Sequence, residues 1–487
     1  MRKTVFAIML MLGLTANAQQ LTLRNAIAIA QENSYDIQLA KLSFMSKYWT
    51  YRSFLADQLP SINLNGELGA FDHSLTSVRS FDNGQVAYVN NNSLSNTLTL
   101  SVDQKIAATG GTVSLQSYLY NLNQFTYDET TFNSQPLRIS YTQPLRSFNA
   151  LKWNKKTMPL DYQIAQKNYL SSMQQVTIQV TSLFFSVLAA QSEYKQSIET
   201  VKDRELLFDM AKKRLDLGTT TKSEVLQLEL SLLNARVAAN NNKLTLENKM
   251  YKFFSYLRVT DYEKAELVPP YNVPDILLDM DDVLRKAIEN SSHTLEQKQM
   301  MLEAERGLAE AKAGRGIQLT LHGEVGFTQS ARTFANAYRR LKDNEIVGLT
   351  LSLPIFDWGV SKGKIRMAQA ELELTKTKNE QTHLDYVQEL KNKVMQFNAQ
   401  PQQCKNALRA QDIAEERYEI TKKRFETGSV SVTELNTAQQ ELESAKTQYI
   451  SLLQTFWTDY YTLQKSTLYD WINRSDIRVD FDKLTKK

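Results

Sequence analysis

The chain has 487 residues, of which only 16 are glycine and 9 are proline, so sharp turns are few and long secondary-structure elements are favoured. Its 57 Lys and Arg residues nearly balance its 53 Asp and Glu residues, which argues against a nucleic-acid partner. A mean hydropathy of -0.41 excludes a polytopic helical membrane protein. The only cysteine, Cys404, cannot form an intramolecular disulfide, and we expect a small packed side chain there.

The N-terminus has the pattern of an export signal. A basic start at Arg2 and Lys3, an apolar run over 5–14 and a small-residue cleavage site over 16–18 predict that residues 1–18 form a signal peptide. A buried N-terminal helix is the alternative. Beyond this segment no apolar run approaches the roughly 18 residues that a membrane helix needs, so we expect an exported protein that is either free or inserted in an outer membrane as β-strands.

The remaining chain is organised as two structural repeats and a tail. Each repeat has a helix, strands, a long helix, a tight turn and a second helix in that order. The repeats are most alike around their turns, where AKKRLDLGTTTKSEV is matched by TKKRFETGSVSVTEL. We predict the first repeat over 19–268, the second over 269–466 and a C-terminal tail over 467–487.

The repeats differ by one insertion. Gly218 matches Gly428 at an offset of 210, whereas Gly69 matches Gly326 at an offset of 257. The first repeat is therefore longer by 47 residues (257 minus 210), and the insertion lies between Gly69 and Pro144.

Alternating apolar and polar residues predict strands over about 60–146 in the first repeat and about 317–356 in the second. Such alternation fits any half-buried sheet. Export favours a membrane barrel, and so do four aromatic residues near strand ends: Phe71, Phe327, Phe356 and Trp358.

Two long helices follow the strands. Breakers are nearly absent from about Asn154 to Leu217 and from Val360 to Thr427, so each helix could reach roughly 95–100 Å at 1.5 Å per residue. We expect Pro401 to cause a kink or short break near Gln400 in the second helix only.

Each long helix ends at a glycine, Gly218 or Gly428, that can adopt the left-handed conformation of a helix C-cap. Arg214 and Arg424 lie four residues before these glycines, at the negative end of the helix dipole. Apolar residues at alternating steps of three and four continue beyond each turn. They predict an antiparallel helical hairpin in each repeat, with the apolar seam packed mainly between the hairpin's own helices.

The helices after the turns begin with a capping box. Thr221 is followed three residues later by Glu224, and Ser431 by Glu434. In this motif both the hydroxyl and the carboxylate bond backbone N–H groups at the helix start. The four residues are therefore explained as helix caps.

The order of these motifs resembles the TolC family of outer-membrane channel proteins. The resemblance rests on the duplicated halves, on strand pairs ending in QPL (143–145) and LPIFDWG (353–359), and on the R-x-x-x-G pattern at both turns. It implies a mixed α and transmembrane β fold in which long α-helical hairpins form a periplasmic α-barrel. Strands from each copy would join one shared trimeric outer-membrane β-barrel.

The resemblance also implies partners and sites. The partners are two further copies in a homotrimer, a periplasmic adaptor (membrane fusion) protein, an inner-membrane transporter and outer-membrane lipid. The hairpin tips would dock the adaptor through Arg214, Gly218, Thr221, Arg424, Gly428 and Ser431. Glu224 and Glu434 are candidate pore-entrance acids or helix caps. Thr437 stands where the family's best-known member has a second acid, so a doubled acidic ring is not expected.

No enzyme is predicted. The four histidines lack metal-ligand spacing and no carboxylate pair forms a catalytic frame, so we expect no cofactor, no metal site and no nucleic acid. The predicted function is the outer-membrane channel-tunnel of a tripartite efflux pump, located in the cell outer membrane with a large periplasmic portion. It would conduct substrates passively. The alternatives are a type I protein secretion conduit and a non-channel periplasmic coiled-coil scaffold.

Overall fold

The structure, a computed structural model, describes residues 19–79, 84–260, 265–427 and 429–485. The predicted signal peptide and Gly428 lie outside the described residues. Contacts divide the chain into two compact units. The sheet unit comprises Ser46–Ile164 and Leu295–Gln381, and the helical unit comprises the described residues up to Met45, Ala165–Thr294 and those from Thr382 onward.

Four helices dominate the fold. They are the first long helix, Ala150–Asp216, the first return helix, Lys222–Leu257, the second long helix, Val360–Glu426, and the second return helix, Val432–Thr467. Both long helices have 67 residues and both return helices have 36. The predicted long helices and hairpins are confirmed.

The short break expected at Pro401 does not occur, because the second long helix is continuous through it, and the alternative of a kink stays a prediction. The first long helix also contains a proline, Pro159, that the sequence analysis did not count as a breaker. A proline removes one backbone donor and crowds the preceding turn, but packing on both sides can hold the helix together. Near Pro401, Phe397 is fully buried and Cys404 is 2% exposed, as expected for a packed thiol.

Two pairs of shorter helices precede the two strand regions: Leu23–Asn33 with Tyr35–Ala56, and Met280–Asn290 with His293–Ala313. Two more short helices are Phe334–Ala337 and Phe481–Thr485. A serine ends the first helix of each pair, Ser34 after Leu23–Asn33 and Ser291 after Met280–Asn290. The Ser34 N–H donates to the carbonyl of Ala30 at 3.0 Å, and the Ser291 N–H donates to that of Ala287 at 3.1 Å. The sequence analysis predicted one helix at each of these places and missed both interruptions.

The strands are β1 Gln19–Thr22, β2 Ser61–Arg79, β3 Val86–Ile106, β4 Gly111–Gln124, β5 Glu129–Arg146, β6 Ala265–Val268, β7 Gln318–Ala331, β8 Lys342–Ser352, β9 Tyr469–Asp470 and β10 Ser475–Asp476. Six of them form an antiparallel sheet in the order β2-β3-β4-β5-β7-β8. Strands β1 and β6 pair in parallel, and β9 pairs with β10. The predicted strand regions are confirmed, although most strands are longer than their alternating cores.

The six-stranded sheet has one apolar and one polar face. Consecutive register partners across five strands form an apolar row: Ile62, Val102, Leu115, Ile139 and Val325. The next row, which points to the opposite face, begins with Asn63, Ser101, Gln116 and Arg138. Ile62 is 73% exposed and Val325 is 51% exposed, so the apolar face is open.

Among the described residues, one helix is long and apolar enough to cross a membrane, the first long helix, and 56% of its apolar 18-residue window is buried within the protein. We expected no segment after residue 18 to be long and apolar enough to span a membrane, and by length and composition this expectation is wrong. Val180, Phe184 and Phe185 of this helix are fully buried. They form part of the core of the helical unit.

Candidate functional site

The first hairpin turns at Gly218, between the first long helix and the first return helix. Its φ is +71°, and among the described residues no heavy atom lies within 4 Å of where a Cβ would stand. The Gly218 N–H donates to the carbonyl of Leu215 at 2.9 Å, and the Thr219 N–H donates to that of Arg214 at 2.9 Å. These are the two hydrogen bonds of a Schellman motif. The predicted left-handed glycine cap is confirmed.

The first return helix is capped by Thr221, whose hydroxyl accepts a hydrogen bond from the Glu224 N–H at 3.2 Å. It thereby satisfies one of the unpaired donors of the helix start. The Glu224 carboxylate instead accepts a hydrogen bond from the Thr220 hydroxyl. The carboxylate half of the predicted capping box is wrong here, because the adjacent hydroxyl takes that position.

The second hairpin tip has two of the same hydrogen bonds among its described residues. The Ser429 N–H donates to the carbonyl of Arg424 at 2.9 Å, and the Ser431 hydroxyl accepts from the Glu434 N–H at 3.2 Å. The Glu434 carboxylate lies 3.9 Å from the Arg424 guanidinium, with side chains 48% and 55% exposed. A pair this exposed contributes about 0–1 kcal/mol. The carboxylate half of the predicted capping box is wrong at this tip too, because the Glu434 carboxylate lies beside Arg424 and faces solvent.

Buried residues near the tips form one cluster, the tip core, that includes all four helices. Its members are Leu207, Ala211, Val225, Leu228, Tyr418, Phe425, Leu435, Ala438 and Leu442. The sequence analysis gave most weight to packing within each hairpin. At the tips the seams also pack between the hairpins, which the sequence analysis did not predict. A heptad pattern identifies which residues are buried but does not identify the helix that covers them.

A polar contact centred on Asp203, the Asp203 junction, joins the two long helices. Asp203 belongs to the first long helix and accepts a hydrogen bond from the Tyr418 hydroxyl of the second. Lys422 of the second long helix places its Nζ 2.7 Å from the other carboxylate oxygen, and the Asp203 side chain is only 15% exposed. Burial, followed by the hydrogen bond to Asp203, raises the pKa of Tyr418. The phenol therefore remains a donor.

A second polar contact links the first long helix to the second return helix. Arg204 is 9% exposed and donates to the amide oxygen of Gln439 at 3.2 Å. The Gln439 amide nitrogen lies 2.5 Å from the Thr200 hydroxyl and 3.2 Å from the Glu443 carboxylate. Burial lowers the pKa of Arg204, whereas Tyr418 and nearby carboxylates act in the opposite direction.

The sequence analysis did not identify either polar contact. The available signal was a set of polar residues within otherwise apolar helical seams, but periodicity does not tell which helix they meet. The predicted tip residues do lie together: Arg214, Gly218, Thr221 and Glu224 at one tip, and Arg424, Ser431 and Glu434 at the other. Among the described residues, no group of three or more His, Cys, Asp and Glu side chains could hold a metal ion.

The fold occurs in known outer-membrane channels. The chain is similar to the CmeC outer membrane channel of Campylobacter jejuni, with a TM-score of 0.67 and 15% identity over 95% of this chain and 89% of that one. The outer membrane protein VceC of Vibrio cholerae gives a TM-score of 0.63 and 12% identity over 94% of this chain and 97% of that one. At these identities the likeness concerns the fold.

Sequence comparisons address the family directly. The chain is 22% identical over 351 residues to outer membrane protein TolC of Escherichia coli strain K12, which covers 66% of this chain and 69% of that protein. The family model described as "Outer membrane efflux protein" matches residues 26–250 and 283–467, which together exceed half of the 487 residues. The predicted resemblance and outer-membrane location are thus confirmed, and the chain belongs to the outer membrane efflux protein family.

Proposed function

We propose that the protein is the outer-membrane channel of a tripartite efflux pump, which conducts substrates passively to the exterior. The observation that carries this proposal is the open apolar face of the six-stranded sheet, present in a chain of the outer membrane efflux protein family. Lipid can cover such a face, whereas water would leave it unfavourably exposed. Energy and substrate would come from an inner-membrane transporter through a periplasmic adaptor (membrane fusion) protein.

The working assembly is a homotrimer with a shared β-barrel and a periplasmic α-barrel built from two duplicated halves. The equal lengths of corresponding helices, 67 and 67 residues and 36 and 36 residues, support the duplication. An open sheet supports shared assembly, because unpaired strand edges are not tolerated in lipid.

The hairpin tips are the proposed adaptor-docking sites, formed by Arg214, Gly218, Thr221, Arg424, Gly428 and Ser431. Glu224 and Glu434 would each serve in the helix cap and at the pore entrance. The backbone N–H of each residue bonds the capping hydroxyl, and the carboxylate lies outside the cap. Carboxylates repeated by three copies around one entrance would favour cations and disfavour anions there.

A glycine substitution tests the tips. Gly218→Val should reduce transport in cells that lack the native protein and leave membrane insertion intact, because a β-branched residue is strained at a φ of +71°. Gly307→Val is the matched control. Among the described residues, no atom from outside its own helical turn lies within 4 Å of a Cβ at Gly307, and this residue has no left-handed φ.

Equal transport by the two variants would contradict a constrained docking role for the first tip. Recovery of the native protein in soluble form without detergent would contradict the channel itself. That result would favour the coiled-coil scaffold.

A further inference from the structure

The sheet contains more strands from the first repeat than from the second. Among the described residues, the first supplies β2, β3, β4 and β5, whereas the second supplies β7 and β8. The insertion between Gly69 and Pro144 accounts for this difference. Strands β3 and β4 pair along 14 register positions, and both lie inside the sheet with neighbours on either side.

Side-chain contacts also integrate the additional strands into the polar face. On this face the Ser114 hydroxyl of β4 hydrogen-bonds to the carboxylate of Asp103 of β3. The Arg138 guanidinium of β5 donates to the amide oxygen of Gln116 of β4 and lies 3.6 Å from the Glu324 carboxylate of β7. Polar contacts therefore run across β3, β4, β5 and β7, as expected of one continuous wall.

Both outer strands of this wall have an open side. Among the described residues, β2 pairs with β3 alone and β8 pairs with β7 alone. Backbone N–H and C=O groups left unpaired in lipid are strongly unfavourable, because no water is present there to bond them. The two edges therefore require partners at membrane depth.

One copy cannot provide those partners for itself. Six strands are fewer than the eight of the smallest membrane barrels. Along the sheet, β2 and β8 are separated by five strand spacings, or about 24 Å at about 4.8 Å each. Because all six strands alternate in direction and their number is even, β8 of one copy would lie antiparallel to β2 of another.

We propose that the inserted hairpin β3–β4 lies within the wall of the shared barrel and widens it, with β8 of one copy pairing with β2 of the next. The proposal rests on the proposed trimeric channel and specifies its wall. Three copies of six strands give eighteen. At a strand tilt of about 40°, eighteen strands give a backbone diameter of about 36 Å, against about 24 Å for the twelve that four-stranded copies would give.

A wide barrel with a polar inner face has a functional consequence. Solutes small enough to enter between the hairpin tips would not be selected again at the exit. The side chains of Gln116, Arg138 and Glu324 would line a water-filled lumen.

Cysteine pairs at the two edges test the proposed pairing. In a Cys404→Ala background, Asn63→Cys on β2 is combined in turn with Gly348→Cys, Thr350→Cys or Ser352→Cys on β8, because the register between copies is to be found. Oxidation of at least one pair should give covalent dimers and trimers on a non-reducing gel and nothing larger. Asn63→Cys with Ser140→Cys, a β5 position, is the control and should stay monomeric.

Three outcomes would overturn the proposal: no cross-linking with any of the three pairs, a bond within one chain, or bands larger than a trimer. Transport is also measured with the reduced variants. If the proposed wall is wrong but the protein is an efflux channel, cross-linking fails and transport is retained. If the proposed function is wrong, transport is absent as well. An electron-microscopy cross-section of the native trimer supplies the second measurement. Eighteen strands are expected, and twelve would place the inserted hairpin outside the wall.

Discussion

Tyr418 provides a direct test of how the two hairpins are held together. Its ring is buried in the tip core, with 7% of the residue exposed, and its hydroxyl donates to Asp203 across the hairpins. Tyr418→Phe removes this one hydroxyl and keeps the ring. The apolar packing should survive, so any change reports the hydrogen bond of the Asp203 junction.

The expected magnitude follows from the charge and burial of the acceptor. A hydrogen bond to a charged group contributes about 1.5–3 kcal/mol, and Asp203 retains Lys422 as its other partner. Since about 1.36 kcal/mol corresponds to a factor of ten, local opening of the tips should become about 10- to 150-fold more frequent.

Hydrogen–deuterium exchange followed by mass spectrometry measures this opening in the detergent-solubilised protein. Peptides around Asp203 and Tyr418 should exchange faster in Tyr418→Phe, and peptides from the strands should not change. Tyr251→Phe is the control, because Tyr251 lies on the first return helix and is 64% exposed. Equal exchange in the two variants would refute the assigned role of the Asp203 junction.

Three further predictions address packing, capping and ionisation. Phe456→Ala should lower the free energy of unfolding by about 3–5 kcal/mol, because this fully buried ring lies 5.2 Å from that of Phe397; an unchanged melting temperature would contradict it. Ser431→Ala should cost about 1 kcal/mol and speed amide exchange at the start of the second return helix, whereas slower exchange would count against the cap. The pKa of Tyr418 is raised in the folded protein. The stability that its protonated hydroxyl contributes is therefore complete below the unfolded pKa of about 10 and is lost as pH rises through the folded pKa. The native protein and Tyr418→Phe should therefore have equal tyrosinate absorbance at 295 nm near pH 10, and a difference of one phenolate there would be inconsistent with a protonated donor.

The turns could be predicted from sequence because their chemistry is local. The turn at Gly218 needs only a left-handed φ at the glycine and two backbone hydrogen bonds, donated by Gly218 and Thr219 to carbonyls of the preceding helical turn. Thr221 and Ser431 need only a donor three residues away. Each of these contacts lies within a few residues of the chain, so the pattern of residue types contains the necessary information.

Contacts between distant segments could not be predicted in the same way. Arg204 and Gln439 are 235 positions apart, and no periodicity in either helix identifies the other as a partner. The same limit applies to the side chain of Glu434. A capping box predicted its carboxylate at the helix start, but Arg424 in the opposite helix lies within reach.

Pro401 shows a different limit. Proline chemistry predicts the loss of a backbone hydrogen bond, and a sequence pattern cannot weigh that loss against packing. Val394, Phe397 and Cys404 are all nearly fully buried around it. The helix remains continuous through these contacts.

The equal helices and unequal strands of the two proposed repeats indicate which parts of the fold can grow. One residue added to a long helix rotates everything beyond it by about 100° and shifts it by 1.5 Å, which would misalign the buried seam and displace the tip. Two strands added to an antiparallel sheet leave the direction of every neighbour unchanged. The sheet can therefore widen in even steps of two strands, whereas the paired long helices both have 67 residues and the paired return helices both have 36.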